Sequence, residues 1–254
     1  MKPLRPKTLR YLAASAIAAS LAAPAVLAHQ SDEGGIAASP SNAAIASFDI
    51  VHAKITTEGS VAVFHMGVSD AAGQTVPTPS GRVAGSDAFA YVWPITVDPY
   101  EVGFERSAGI LALAAATHPD FDDTPLFDEN GDGDFANDGA VWHSHWVVLE
   151  PDEACGPSAL KVIDIPEGTK PRLPKTWPGL PILLDSPGWQ PSIAADTVEI
   201  AVAFDEIAVI EEAAFDGVTA GLRVHKNLHA PFFCVVDVFD IASGDLSLPG
   251  KVNQ

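Results

Sequence analysis

Short runs of apolar and β-branched residues, separated by glycine and proline, make up the chain from residue 48 onwards. No segment has the length and period of an amphipathic helix, and the 20 Gly and 21 Pro lie mostly between the runs. This pattern predicts an all-β fold, an antiparallel β-sandwich or barrel in a single domain over residues 48–254. The predicted strands cover residues 48–55, 60–68, 88–95, 109–117, 139–149, 159–165, 198–204, 207–210, 219–225 and 232–241.

A proline-rich segment interrupts the strand pattern at residues 169–192. It contains six prolines together with Trp177 and Trp189. Because proline donates no hydrogen bond to a sheet, this segment cannot be a central strand. We expect a long ordered loop that packs its tryptophans over an open end of the barrel; a docking site for a proline motif is the alternative.

The N-terminus has the features of a secretory signal peptide over residues 1–28. A basic stretch that ends at Arg10 precedes an apolar, alanine-rich stretch, and Val26 and Ala28 supply the small residues of a cleavage site. Residues 29–47 are small and polar, which predicts a flexible leader. We therefore expect a periplasmic or secreted protein with no membrane anchor after cleavage.

The charge of the chain limits its partners. It carries 33 acidic and 14 basic side chains, a net charge of −19. Nucleic acids and anionic lipids are bound through Lys and Arg contacts to phosphate, so we expect neither as a partner. A hydrophobic content of 47% excludes a disordered acidic tail and indicates a folded core.

Only two cysteines occur, Cys155 and Cys234. In an oxidising compartment a lone pair of this kind predicts a disulfide. The alternative is a thiolate that acts as a metal ligand or a nucleophile.

The strongest candidate site is the pair of histidines in the segment 142–146, Trp-His-Ser-His-Trp. Side chains alternate along a strand, so His143 and His145 face one side, about 6–7 Å apart. Two imidazoles on one face can hold copper or zinc if a third ligand approaches. The alternative is a polar strand face on which both histidines are simply hydrogen-bonded.

The surrounding residues resemble the first motif of the cupin family. Gly139, His143, His145, Glu150 and Gly156 correspond to a pattern in which two histidines and a glutamate bind a metal. The resemblance implies a cupin-like barrel, with Glu150 as a ligand or base; an immunoglobulin-like sandwich is the other form that the strand pattern allows. The glycine-to-histidine gap is shorter than in cupins, and no second motif matches.

Other histidines are candidates to complete a transition-metal site. His65 lies on an apolar strand next to Met66, and His225 and His229 flank a predicted strand end or turn. His118 has no supporting context in the sequence. Cleavage after Ala28 would also place His29 at the N-terminus, similar to the histidine brace of copper monooxygenases.

An acidic segment before the His-x-His strand resembles the first half of an EF-hand calcium loop. The twelfth position is glycine instead of glutamate, so we expect a calcium loop without flanking helices, with a structural role. A solvated acidic turn is the alternative. The candidate ligands are Asp128, Asn130, Asp132, Asp134 and Asp138.

These observations leave several functions open. The first is a periplasmic protein that holds copper or zinc through its histidines, for metal capture or delivery. The second is a cupin-like metalloenzyme that uses the same residues. The third is a haem-binding β-sandwich with Met66 and a histidine as axial ligands. A structural or adhesion module without a metal is the fourth.

Overall fold

A computed structural model describes residues 34–41, 45–119, 128, 131–135 and 141–254, all within one compact unit, Asp32–Gln254. Fourteen strands form the framework of these described residues. The strands are β1 (Ile36–Ala37), β2 (Ile50–Glu58), β3 (Val61–Val68), β4 (Asp87–Ile95), β5 (Ile110–Thr117), β6 (His143–Pro151), β7 (Leu160–Val162), β8 (Leu184–Asp185), β9 (Ser192–Ala194), β10 (Thr197–Ala203), β11 (Ala214–Phe215), β12 (Val218–Val224), β13 (Phe233–Ile241) and β14 (Gly250–Lys251).

These strands form two antiparallel sheets. The first sheet has the order β1-β2-β3-β10-β9. The second closes on itself, because β12 pairs with β13 on one side and with β4 on the other. Its six-stranded barrel has the order β12-β13-β7-β6-β5-β4. The sheet continues from β4 to β11 and then to β14, and the short strand β8 pairs with β6. The predicted antiparallel all-β fold is thus confirmed. The first sheet and the closed barrel share one hydrophobic core within a single unit.

Side-chain alternation on the barrel strands creates two separate cores. On β4, Tyr91 and Trp93 belong to the core that includes the first sheet, whereas Ala90 and Val92 belong to the core inside the barrel. Each strand shared by the two cores is therefore apolar on both faces, which is why these segments appear as continuous apolar runs in the sequence.

The predicted disulfide is confirmed. Cys155 and Cys234 are bonded, with their Cα atoms 5.4 Å apart and a sequence separation of 79. The bond lies beside the narrowest pairing in the barrel, where Cys234 opposite Lys161 is the single residue pair between β13 and β7. The disulfide therefore reinforces the position at which the barrel has the fewest ladder contacts.

Several local elements differ from the sequence prediction. Residues 207–210 were expected as a strand, but the short helix Ala208–Glu211 occupies this position. Strands β1, β8, β9, β11 and β14 have two or three residues each, too short to produce a recognisable sequence period. In the proline-rich segment 169–192, β8 is the main strand, and most of the segment is without regular structure.

The fold begins earlier than the predicted boundary at residue 48. Ile36 is buried, and β1 pairs with β2 through Ile36 opposite Ala53. This part of the predicted leader is therefore held against the first sheet. The predicted signal peptide, residues 1–28, lies outside the described residues. Within the described ranges, no helix has the length and apolar character needed to cross a membrane.

Candidate metal centre

Three histidines meet at one end of the β5–β6 pair. His143 is the first residue of β6, and His118 directly follows the last residue of β5. The strand register places Ala116 opposite His143 and Ala114 opposite His145. The small alanine side chains leave space beside the ladder for imidazole rings, so the two strands position the histidines without steric conflict.

The geometry of this cluster, which we call the histidine trio (His118, His143 and His145), is compact. One ring nitrogen from each residue lies within 4.8 Å of the others. The ring centroids of His143 and His145 are 4.7 Å apart, and those of His118 and His143 are 4.9 Å apart. Among the described residues, the trio is the group of at least three potential ligands close enough to share a metal ion.

Backbone carbonyls orient all three rings. The Nδ1 atom of His143 lies 2.9 Å from the carbonyl oxygen of Val141, and that of His118 lies 3.2 Å from the carbonyl oxygen of Pro119. The Nδ1 atom of His145 lies 3.2 Å from the carbonyl oxygen of Asp185. Because a carbonyl can only accept, these contacts assign the proton to Nδ1, which makes Nε2 the nitrogen that would bind a metal.

Asp185 and Ser186, which contact the ring of His145, are themselves buried. The hydroxyl of Ser186 lies 3.2 Å from Nδ1 of His145, and Thr176 donates a hydrogen bond to the Asp185 carboxylate at 2.8 Å. Burial raises the pKa of Asp185 to about 6, and the hydrogen bonds from Thr176 and Ser186 only partly oppose this shift. The support behind His145 is therefore a packed hydrogen-bonded segment and not bulk solvent.

The trio has the ligand set of a transition-metal site. His143 is completely buried and His145 is 4% exposed, while His118 is half-buried. Two nitrogens that bind zinc at about 2.1 Å with tetrahedral angles lie about 3.4 Å apart, so small side-chain rotations would bring the trio into coordination. Three protein ligands would leave a fourth position for water or another molecule.

His65 lies in a different part of the fold from the trio. It is on β3 in the first sheet, where its Nδ1 atom contacts the Glu199 carboxylate at 2.9 Å. Its ring packs edge to face against His52. Burial lowers the pKa of His65, although Glu199 acts in the opposite direction. Its neighbour Met66 is completely buried in the core that includes the first sheet, whereas the trio lies at the barrel strands β5 and β6. The structure therefore does not bring His65 and Met66 to the trio.

His225 and His229 are also not brought into the trio. His225 follows β12 and is hydrogen-bonded through Nδ1 to the side chain of Asn227. His229 is exposed, and its backbone N–H donates to Asn227. The third histidine of the cluster is His118, for which the sequence offered no supporting context.

A pattern in β5 could have identified His118. Ala112, Ala114 and Ala116 alternate on the inward face of the strand, and His118 continues the same spacing of two. An antiparallel pairing of β5 with β6 then places this position next to His143. The residue spacing was visible in the sequence, but the pairing was not.

Glu150, the third ligand implied by the cupin resemblance, lies at the other end of β6. Its carboxylate is 3.4 Å from Nζ of Lys161, which also contacts Asp152 and Asp164 at 3.0 Å. Burial lowers the pKa of Lys161, but the hydrogen bonds to Asp152 and Asp164 outweigh this effect and hold it above its ordinary value. Glu150 therefore belongs to an ion-pair cluster beside β7 and not to the trio.

The structure describes part of the predicted calcium loop. Asp128 accepts a hydrogen bond from the backbone N–H of Gly133 at 3.0 Å, and Asp132 accepts one from Asp134 at 2.8 Å. Asn130 and Asp138 lie outside the described residues. These turn contacts are compatible with a calcium loop and with a solvated acidic turn, so calcium binding stays a prediction.

No protein-family model matches this chain, and no match is found among curated proteins or solved structures. The fold and the trio thus define its class by themselves. It is an all-β, disulfide-bonded protein with a histidine cluster that could hold a metal ion.

Proposed function

We propose that this protein binds one transition-metal ion, copper or zinc, through His118, His143 and His145. The observation that carries the proposal is the common orientation of the trio: each Nδ1 is held by a backbone carbonyl, and the ring nitrogens converge within 4.8 Å. Metal-binding histidines in proteins are typically oriented in this way, through a hydrogen bond from the nitrogen that does not bind the metal.

The chemistry of the trio favours copper or zinc over calcium or magnesium. Imidazole nitrogen is a ligand of intermediate softness, which suits zinc and copper, whereas calcium and magnesium prefer oxygen. Both cysteines are in the disulfide, so no thiolate competes for the metal.

We further propose that the protein acts in a periplasmic or secreted location, in metal capture or delivery. The disulfide supports this location, because disulfides persist mainly in oxidising compartments. The signal-peptide pattern of residues 1–28 supports it as well. An exported protein of this kind would meet copper and zinc before they reach the cytoplasm.

Metal loading tests the proposal. The purified protein is incubated with Cu²⁺ or Zn²⁺, passed through a desalting column and analysed for metal content. We expect one ion per chain in the wild type and in the matched control His229→Ala, which removes an exposed histidine outside the trio. His143→Ala should retain much less metal. A wild type that leaves the column without metal would overturn the proposal.

A metalloenzyme is a second candidate, because His118 and His145 line a cavity inside the barrel. An enzyme needs an open coordination position, whereas a storage site can be closed. Azide added to the Cu²⁺-loaded protein distinguishes the two. A new charge-transfer absorption band would indicate an open position that faces the cavity, and an unchanged spectrum would favour capture and storage.

A further inference from the structure

The barrel contains a partly open cavity of about 640 Å³. Its walls come from the inward faces of β4, β5, β6, β12 and β13, and His118 and His145 are among its lining residues. Small barrels usually fill their interior with side chains, and barrels that hold a ligand are the exception. A volume of this size lies within the range of small-molecule sites in proteins.

Alanines account for the empty volume. The inward positions of β4 and β5 include Ala88, Ala90, Ala114 and Ala116, all of which line the cavity. The outward faces of the same strands carry large side chains such as Trp93, which is completely buried in the other core. The cavity face of β4 and β5 therefore carries several alanines at positions where larger side chains would fill the interior.

The cavity wall is apolar, and its charges are negative. Large apolar side chains at its edge remain accessible, with Ile110 38% and Val238 53% exposed. The charged residues among the lining are Asp87 and Asp237, and no Lys or Arg of the described chain belongs to the lining. Arg223 forms an ion pair with Asp87 at 2.6 Å and also interacts with the charge of Asp237, so these three side chains together keep one net negative charge.

We propose that the barrel cavity binds a neutral, mostly apolar small molecule, with a polar atom of the ligand directed towards His118 and His145. His118 and His145 are two polar groups of the lining that can form a hydrogen bond with such an atom, and the hydroxyl of Ser158 is a third. An anionic ligand would meet Asp237 and find no lining cation. The binding site consists of protein side chains alone, so the proposal concerns the metal-free protein and does not require the trio to bind a metal.

Water release would drive binding. A cavity of about 640 Å³ has room for about 20 water molecules at the volume that water occupies in the liquid. Alanine, valine and leucine side chains offer these molecules few hydrogen bonds. An apolar ligand that replaces them would gain the free energy of burying its own surface and that of the wall.

Two fluorescent probes with the same aromatic skeleton test the proposal. N-phenyl-1-naphthylamine is neutral, and 1-anilinonaphthalene-8-sulfonate adds one negative charge to it. Both are titrated into the metal-free full chain. We expect the neutral probe to bind one site per chain, at least tenfold more tightly than the sulfonate. Decan-1-ol should displace it at lower concentration than decanoate does.

A filled cavity provides the location test. Ala114→Phe places a large side chain in the cavity, and Ala201→Phe places the same side chain on the exposed face of β10. We expect at least a tenfold weaker affinity for the neutral probe in Ala114→Phe and wild-type affinity in Ala201→Phe. If Ala114→Phe fails to fold, the displacement series on the wild type decides the question.

Three results would overturn the proposal: no binding of the neutral probe, equal or tighter binding of the sulfonate, or wild-type probe affinity in a folded Ala114→Phe variant. None of these measurements uses a metal. Their failure would therefore leave the proposed metal site untouched, and a failed metal titration would leave the cavity proposal untouched.

Discussion

The imidazole rings of His118 and His143 lie edge to face, with their centroids 4.9 Å apart and their planes at 82°. His118 directly follows the last residue of β5, and His143 is the first residue of β6. The pairing of these two strands therefore creates the trio, and the affinity for metal should depend on histidines from both strands.

Metal affinity should fall as the solution becomes acidic. An imidazole must be neutral to coordinate a metal, and the pKa of an unperturbed histidine is about 6.5. We expect the apparent affinity for Zn²⁺ to be nearly constant between pH 7.5 and 8 and to drop steeply below about pH 6.5. Calorimetric titrations at several pH values check this. An affinity that does not change between pH 7.5 and pH 5 would contradict coordination by imidazole.

The stability of the metal-free protein should also decrease at mildly acidic pH, through His65. Burial holds the pKa of His65 below its ordinary value, so the unfolded chain binds a proton on this residue more readily than the folded chain does. The free energy of unfolding should therefore begin to fall near pH 6.5 and continue to fall towards the lowered pKa.

The variant His65→Gln tests this pH dependence, because glutamine cannot titrate but can still donate to Glu199. Urea unfolding with a chelator present is measured at pH 7.5 and pH 5.5. We expect a smaller loss of stability between the two pH values in His65→Gln than in the wild type. Equal losses in both proteins would show that His65 does not contribute.

Loss of the disulfide should destabilise the fold. The bond closes a loop of 79 residues, for which the chain-entropy model gives about 4 kcal/mol. We expect the double variant Cys155→Ser, Cys234→Ser to show a decrease of that order in urea unfolding, and reductant to shift only the wild type. The exported protein should contain no free thiol. Stoichiometric labelling of both cysteines under denaturing, non-reducing conditions would refute the bridge.

Calcium should stabilise the protein if the loop that begins at Asp128 binds it. Binding to the native state at a hundredfold excess over Kd adds about 2.7 kcal/mol, which corresponds to a Tm increase of roughly 5–10 °C for a protein of this size. Asp128→Asn combined with Asp132→Asn should abolish the increase. Magnesium at the same concentration is the control. A wild-type Tm that is the same in calcium and in EGTA would refute the loop.

Side-chain periodicity predicted the parts of the structure that depend on local pattern. The alternation in residues 142–146 places His143 and His145 on the interior face, while Trp146 packs into the other core. The main strands also follow their sequence runs closely. These features follow from the geometry of a single strand, which the sequence determines without knowledge of its neighbours.

Features that depend on pairing between distant segments were not predictable in the same way. Closure of the barrel rests on the pairing of β12 with β4, and no local pattern indicates it. The third histidine was sought among His65, His225 and His229, because the pairing of β5 with β6 could not be derived from sequence. The interior cavity likewise results from alanines that become neighbours only in the closed barrel.

The central claim is that His118 completes a metal site with His143 and His145, and calorimetric titration of His118→Ala with Cu²⁺ and Zn²⁺ tests it most directly. Loss of one of three ligands should weaken binding by at least about 100-fold, more than is typical when only a supporting group is lost. The control His229→Ala should bind as the wild type does. Wild-type affinity in His118→Ala, or a comparable loss in His229→Ala, would contradict the account.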